Sequence, residues 1–212
     1  MHSTVRKFES RWPAIIVVLF VLGLTELLPG RLRVMHESYP YIAAVVLIAP
    51  MLAEQLTRNR RLVPLERAVI YLFAWSSFVL MLWMLARLVH LMVSPEQNVG
   101  GLPLLASAIA LWVINVLVFA LLYWEVDRGG PDARANGEAR PPDILFPEID
   151  SAPDPVYTFI DYLFFAYTTA TAFSPTETYP ITKRLKALMM LQSTVSLATI
   201  LVVAGRAINI LK

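Results

Sequence analysis

Apolar residues along this chain fall into long runs and show neither strand alternation nor a one-faced helical spacing. Four runs are nearly uninterrupted, Ala14 to Leu28, Tyr41 to Leu56, Ala68 to Val93 and Leu102 to Trp124, and a fifth, Leu185 to Leu211, closes the chain. At 1.5 Å of rise per residue, about twenty residues cover the ~30 Å hydrocarbon core of a bilayer. Lipid offers backbone groups no partner, so each run is predicted to be a helix that satisfies its own N–H and C=O groups.

A shorter apolar segment, Phe159 to Phe173, breaks this pattern because it has only fifteen residues and carries Asp161. As a helix it covers roughly 22 Å, a length at which re-entrant and fully crossing segments compete. Pro175 cannot donate the next backbone bond and pushes Ser174 out of helical geometry, so Phe173 is expected to be about the last helical residue. Lys183, Arg184 and Lys186 follow at once. A segment that dips in and returns keeps them with the other positive residues; one that crosses strands them on the far side. The expected fold is an all-α, polytopic transmembrane helical bundle of five full spans plus a short half-helix, with a plain six-helix bundle as the alternative. It forms a single domain over 1–212, with a four-helix region at 13–124 and a pore-loop-like helix pair at 157–212.

Composition agrees with a multi-pass protein of the cell membrane whose first partner is the lipid bilayer. Hydrophobic residues make up 57% of the 212 and charged residues 16%, with a mean hydropathy of +0.59, too apolar for an ordinary soluble domain. The formal net charge of +2 does not point to nucleic acid, because the basic residues sit at helix ends. Three Lys or Arg precede the first run, two follow it, four follow the second and none lies in Ser94 to Gly101. Positive residues collect on the cytoplasmic side, so the N-terminus is expected to be cytoplasmic. Arg6, Lys7 and Arg11 before an apolar run resemble a signal-peptide start, but no small-residue cleavage site follows, and a retained span is expected. The absence of cysteine removes disulfides and thiolate metal sites.

Residues 125–156 form an acidic, Pro/Gly-rich loop. From Glu125 to Pro155 there are six prolines, three glycines, eight carboxylates and three arginines. A connection this long is either mobile or a docked functional segment. Its one apolar cluster, "DILFP" (Asp143 to Pro147), could pack back on the protein or the lipid interface.

Ionisable residues inside apolar runs are costly in lipid, and here they are Glu26, Glu54, Arg87, His90, Asp161 and Arg206. The first four lie near helix ends, where snorkelling accounts for them. No metal-ligand spacing accompanies Arg87 and His90, and no metal site or cofactor is expected. In the last run, Gln192, Ser196, Thr199 and Arg206 fall within roughly 80° of one another at 100° per residue. Such a stripe serves either as interhelical hydrogen bonding or as a face toward water or toward the half-helix. Asp161 and Thr168 share a face of the short segment and could join Gln192 and Arg206 in one buried polar network, with Asp161 and Arg206 as a pair. No HExxH, GxSxG, phosphate-cradling glycine loop or clustered Ser, His and Asp set is present, so the chain is not expected to be an enzyme.

"YTTATAFSPTETYPIT" (Tyr167 to Thr182), with Tyr162 to Ala166 before it and "KRLKALMMLQSTVSLATILVVAGRAINIL" after it, resembles the pore helix, filter and inner helix of two-helix potassium-channel modules. The resemblance sets Thr168, Thr169 and Thr171 at the end of the pore helix. It sets Pro180 and Thr182 in the turn after the filter, and Arg184 at the start of the inner helix. "YWEVDRGGP" (Tyr123 to Pro131) through "LFPEI" to the C-terminus is similar to an uncharacterised family of bacterial integral membrane proteins. The filter glycines are absent: Phe173, Ser174, Pro175 and Thr176 stand there, and a proline cannot take the conformations a carbonyl ladder needs. Glu177 aligns with the acidic residue after the filter, so a homo-oligomer could present a carboxylate ring that favours cations weakly. The resemblance therefore implies permeation of ions or small solutes without potassium selectivity through a loop entering from the cytoplasm. A non-conducting scaffold or assembly partner is the alternative.

Overall fold

A computed structural model describes residues 10–26, 39–57, 63–93, 101–136, 140–147, 157–171 and 178–210. Among the described residues there are seven helices: α1 (Trp12–Glu26), α2 (Tyr39–Thr57), α3 (Val63–Val93), α4 (Gly101–Val126), α5 (Pro131–Ala135), α6 (Phe159–Thr171) and α7 (Lys183–Ile210). Two short strands, β1 (Ile144–Leu145) and β2 (Tyr179–Pro180), pair antiparallel. The described part of each of the five apolar runs lies in one helix. Among the described residues three stretches are long and apolar enough to cross a membrane: Pro64–His90, Leu102–Gly129 and Lys183–Gly205. The apolar parts of α1 and α2 are shorter.

Proline marks the helix starts. Pro13, Pro40, Pro64 and Pro103 lie in the first turns of α1 to α4, and Pro131 opens α5. The first turn has no intrahelical partner for its N–H groups, so the missing donor costs little there. Helix α4 is central, packing on α1, α3, α6 and α7. Its stretch from Val118 to Trp124 is buried on every side, as an all-round apolar helix requires.

Cross-helix contacts fix the directions. Trp112 meets Ser196, Asn115 meets Gln192, and Arg184 reaches the Val126 carbonyl, so α4 and α7 are antiparallel. Gln192 meets Ala166 and Ser196 meets Ala170, so α6 and α7 are parallel. The thirteen residues of α6 rise about 20 Å from a foot at Tyr162. By Tyr179 the chain is back at the same end, where β2 pairs with β1 and the Ile181 N–H donates to the Asp143 carbonyl at 2.8 Å. The start of α6 and the β2 strand thus lie at one end of the bundle. Its last described helical residue is Thr171; Phe173 lies outside the described residues.

The loop after α4 is docked over its described part. A 3₁₀ turn, Asp127–Gly129, ends α4, and Arg128, Gly129 and Gly130 have successive φ of 54°, 87° and 92°. Glycine adopts that left-handed region at little cost. Here it folds the chain back so closely that a Cβ on Gly130 would lie 2.7 Å from Arg67 Nη2 and 3.0 Å from the Glu125 carbonyl oxygen. Asp127, Asp143, Ile144 and Phe146 are buried, and Phe146 stacks on Tyr157 at 4.5 Å and meets Tyr162 edge-on. Of the two expectations for this connection, the docked one fits "DILFP", which packs on the protein through Asp143, Ile144 and Phe146; 148–156 lie outside the described residues.

Candidate functional site

Two polar constructions surround the half-helix. The first is a cap of charges at its foot. The start of α1 brings Arg11, the start of α3 brings Glu66 and Arg67, the end of α4 brings Glu125, and the docked loop brings Asp127, Asp132, Arg134 and Asp143. Arg11 is buried; its Nε lies 3.1 Å from Glu66, another guanidinium nitrogen pairs with Asp132, and Glu125 stands at 3.9 Å. Arg67 donates to Glu125 at 2.9 Å and to the Gly129 carbonyl. Arg134 donates to the Trp124 and Asp127 carbonyls at 2.9 and 2.8 Å. These belong to the last turn of α4, whose orphan carbonyls carry the negative end of the helix dipole.

Asp127 and Asp143 tie the start of α6 to β1 and to the start of α7. Asp127, fully buried, accepts from the backbone N–H of Asp143 at 2.9 Å, of Ile144 at 3.2 Å and from the Tyr162 hydroxyl at 2.9 Å. Asp143, also fully buried, accepts from Thr182 Oγ1 at 2.6 Å and from two guanidinium nitrogens of Arg184. Burial alone opposes ionisation of Asp143, but the bonds from Arg184 and Thr182 outweigh it and hold the carboxyl below its ordinary value of 3.8. Five arginines (11, 67, 128, 134, 184) stand among five carboxyl groups (66, 125, 127, 132, 143), so the formal charges of these ten side chains cancel.

The second construction joins α6 to α7. Pro175 forbids continuation of the helix, so the last carbonyls of α6 need partners from elsewhere. The Ser196 hydroxyl donates to the Ala170 carbonyl and the Ser193 hydroxyl to the Thr169 carbonyl at 3.4 Å. One turn lower, Gln192 Nε2 donates to the Ala166 carbonyl at 2.8 Å while its Oε1 accepts from the Tyr123 hydroxyl at 2.6 Å. From α4, Trp112 Nε1 donates to Ser196 at 3.1 Å and Asn115 Nδ2 to the Gln192 carbonyl at 3.2 Å. The polar stripe of α7 thus works in interhelical bonding at Gln192 and Ser196, both buried.

The other sequence-predicted residues separate. Thr199 is buried and turns its hydroxyl back to the Val195 carbonyl. Thr168 and Thr169 both bond the Phe165 carbonyl, and Thr171 bonds the Tyr167 carbonyl at 2.9 Å, local bonds typical of helical threonine. Asp161 is not in the Gln192 network. It accepts from the N–H and hydroxyl of Thr158 at 2.6 and 3.1 Å, a capping box at the start of α6. Position 206 lies some 21 Å beyond Gln192 along α7, away from Asp161, so the backbones set the proposed Asp161 and Arg206 partners at opposite ends. The Arg206 side chain and all of Ser174, Pro175 and Glu177 lie outside the described residues.

The sequence reading passed over Asp127, Asp143 and Glu125 as loop acids, and Trp112, Asn115 and Tyr123 as span residues. A signal existed in "YWEVDRGGP", where carboxylates, a Gly pair and aromatic residues crowd a helix end. Among the described residues no cluster of three or more metal-ligating side chains occurs. Compared with known proteins, the chain matches no family model, no curated sequence and no solved structure.

Proposed function

We propose that this chain is a multi-pass protein of the cell membrane with a cytoplasmic N-terminus, five spans and a half-helix. Its function is to pass ions or small solutes through a pore-loop-like C-terminal pair without potassium selectivity. One observation carries this reading: α6 leaves and returns to the same end while running parallel to α7, its carbonyl end pointed into the bundle. A half-helix C-terminus directed into the membrane brings partial negative charge there, which favours cations. The foot of that segment shares its end of the bundle with Arg11, Arg67 and Arg184, and positive residues favour the cytoplasmic side. Proteoliposomes should show a cation flux that falls when Thr171 or Glu177 is replaced. Equal silence of folded native and variant protein removes the reading.

A second reading, a non-conducting scaffold or assembly partner, is favoured by a different observation. Gln192, Ser196 and Thr199 are buried and bonded within the chain, and the charged cap is balanced. Single cysteines at Ser151 and Lys183, free of native background, test the topology common to both readings: labelling from one side supports the re-entrant course, and labelling from opposite sides removes it.

A further inference from the structure

The charges at the foot of the half-helix are sorted by depth. Among the described side chains at this end, the carboxylates of Glu66, Glu125, Asp127, Asp132, Asp143 and Asp161 are buried or partly buried, and none is exposed. Among the described residues at this end, the exposed charges are all basic: Arg140, Lys183, Arg184 and Lys186. Beside them stands the β1–β2 ribbon. Leu145 and Tyr179 are cross-strand partners and therefore share a face, on which Ile181 also falls two residues further along. They are 46%, 54% and 47% exposed, while Ile144 on the opposite face is fully buried. A two-stranded ribbon is marginal alone, and this one is pinned from behind by Asp127 and Asp143. Its outer face has no structural need to be apolar.

We infer that this ribbon, with Lys183 and Lys186, is an interfacial foot that seats in the headgroup layer of an anionic leaflet. Tyr179 offers a ring with an apolar body and a polar tip, the side-chain type that collects at membrane boundaries. Leu145 and Ile181 supply the apolar contact, and the two lysines, one turn apart at the start of α7, supply charge complementary to anionic phospholipid. Because Asp143 holds both the ribbon and Arg184, a leaflet that seats the ribbon also bears on both feet of the re-entrant segment. The inference rests on α7 crossing the bilayer and not on permeation.

Single cysteines at Leu145, Tyr179, Leu197 and Asn136 carry nitroxide labels on the full chain in phosphatidylcholine vesicles with and without phosphatidylglycerol. Collision with oxygen and with a water-soluble nickel chelate reads depth. Labels at 145 and 179 should lie between the mid-helix label at 197 and the label at 136, with nickel access several-fold below the latter. Phosphatidylglycerol should lower nickel access further, and the paired Lys183→Gln and Lys186→Gln changes should abolish that lipid-dependent shift. Nickel access equal to position 136, or no response to phosphatidylglycerol, overturns the proposal. So does spin–spin broadening that disappears on dilution with unlabelled protein, which would place a second copy on the ribbon. If position 197 is itself open to nickel, the membrane reading of α7 fails and the foot fails with it.

Discussion

The hydroxyl of Tyr162 donates to the carboxylate of Asp127 at 2.9 Å, joining the foot of the half-helix to the turn that ends α4 across 35 residues of sequence. The other oxygen of the same carboxylate takes the N–H groups of Asp143 and Ile144, so one buried side chain sets both where α6 begins and where the strap beneath it lies. A buried carboxylate is tolerable only when its lone pairs are filled in this way.

Replacing Asp127 by Asn keeps the shape but removes the charge that all three donors face, leaving one amide oxygen for the two N–H groups and an NH2 group toward a Tyr162 hydroxyl that must turn to accept. Hydrogen bonds to a charged group contribute about 1.5–3 kcal/mol, so Asp127→Asn should destabilise the protein by roughly 2–3 kcal/mol, whereas Tyr162→Phe, which removes one bond, should cost about 1 kcal/mol. Equilibrium unfolding in mild detergent measures both. Equal, small effects would show that the carboxylate does not organise the foot.

Gln192 links Tyr123 on α4 to Ala166 on α6, so its two bonds are coupled through one amide. Bonds of this kind between membrane helices average about 0.6 kcal/mol and reach about 1.7. Gln192→Leu should cost about 1–2 kcal/mol, Tyr123→Phe about 0.5–1, and the double variant less than their sum. A double-mutant cycle on thermal or denaturant unfolding decides it; strict additivity would mean the Tyr123 to Gln192 bond contributes nothing.

How much of this was legible in the sequence depends on whether the signal was continuous or assembled. Apolar runs are continuous, and α1 to α4 and α7 all lie where the runs do, because hydropathy and helix length are local properties. The start of α6 at Phe159 was legible too, while the common face of Gln192 and Ser196 left interhelical bonding as one of two readings. Asp161 was misread: buried by position in an apolar segment, it is three residues from Thr158, and that local capping geometry takes precedence over a distant arginine. The cap was missed altogether. Asp127 and Asp143 look like linker acids until the left-handed turn at Arg128 to Gly130 folds them under α4, and the cap's arginines come from distant positions: Arg11 meets Glu66 and Asp132, Arg67 meets Glu125 and Arg184 meets Asp143. Long-range matching of this kind leaves no periodicity to read.

Two glycines predict opposite outcomes. Gly130 has φ of 92° and no room for a Cβ between Arg67 and Glu125, whereas Gly23 on an exposed face of α1 has no atom within 4 Å of that position. Gly130→Ala should destabilise by about 1–3 kcal/mol through backbone strain and the displaced guanidinium. Gly23→Ala should stabilise by about 0.5–1 kcal/mol, the ordinary helix preference of alanine over glycine. Paired unfolding curves check the sign, and a neutral Gly130→Ala would mean the turn is not needed to dock the loop.

Asp143 gives the cap a defined acid limit. Its carboxyl is held below the ordinary 3.8 because Arg184 and Thr182 outweigh the effect of burial, so the folded state binds its proton less readily than the unfolded chain. The stabilisation is therefore complete above about pH 4, near the unfolded carboxylate value, and is lost as pH falls through the lower folded value. Asp143→Asn removes that dependence while retaining an acceptor for Thr182. Native protein should be the more stable at pH 6, by about 1–3 kcal/mol for a bond to a charged partner that is half exposed, and the gap should narrow steadily below about pH 4. Melting temperatures of the two proteins across pH 3 to 7 test this directly. A gap that stays constant through the acid range would mean that Arg184 draws no stability from the Asp143 charge, and that the strap is held by Asp127 and by its backbone pairing with β2 instead.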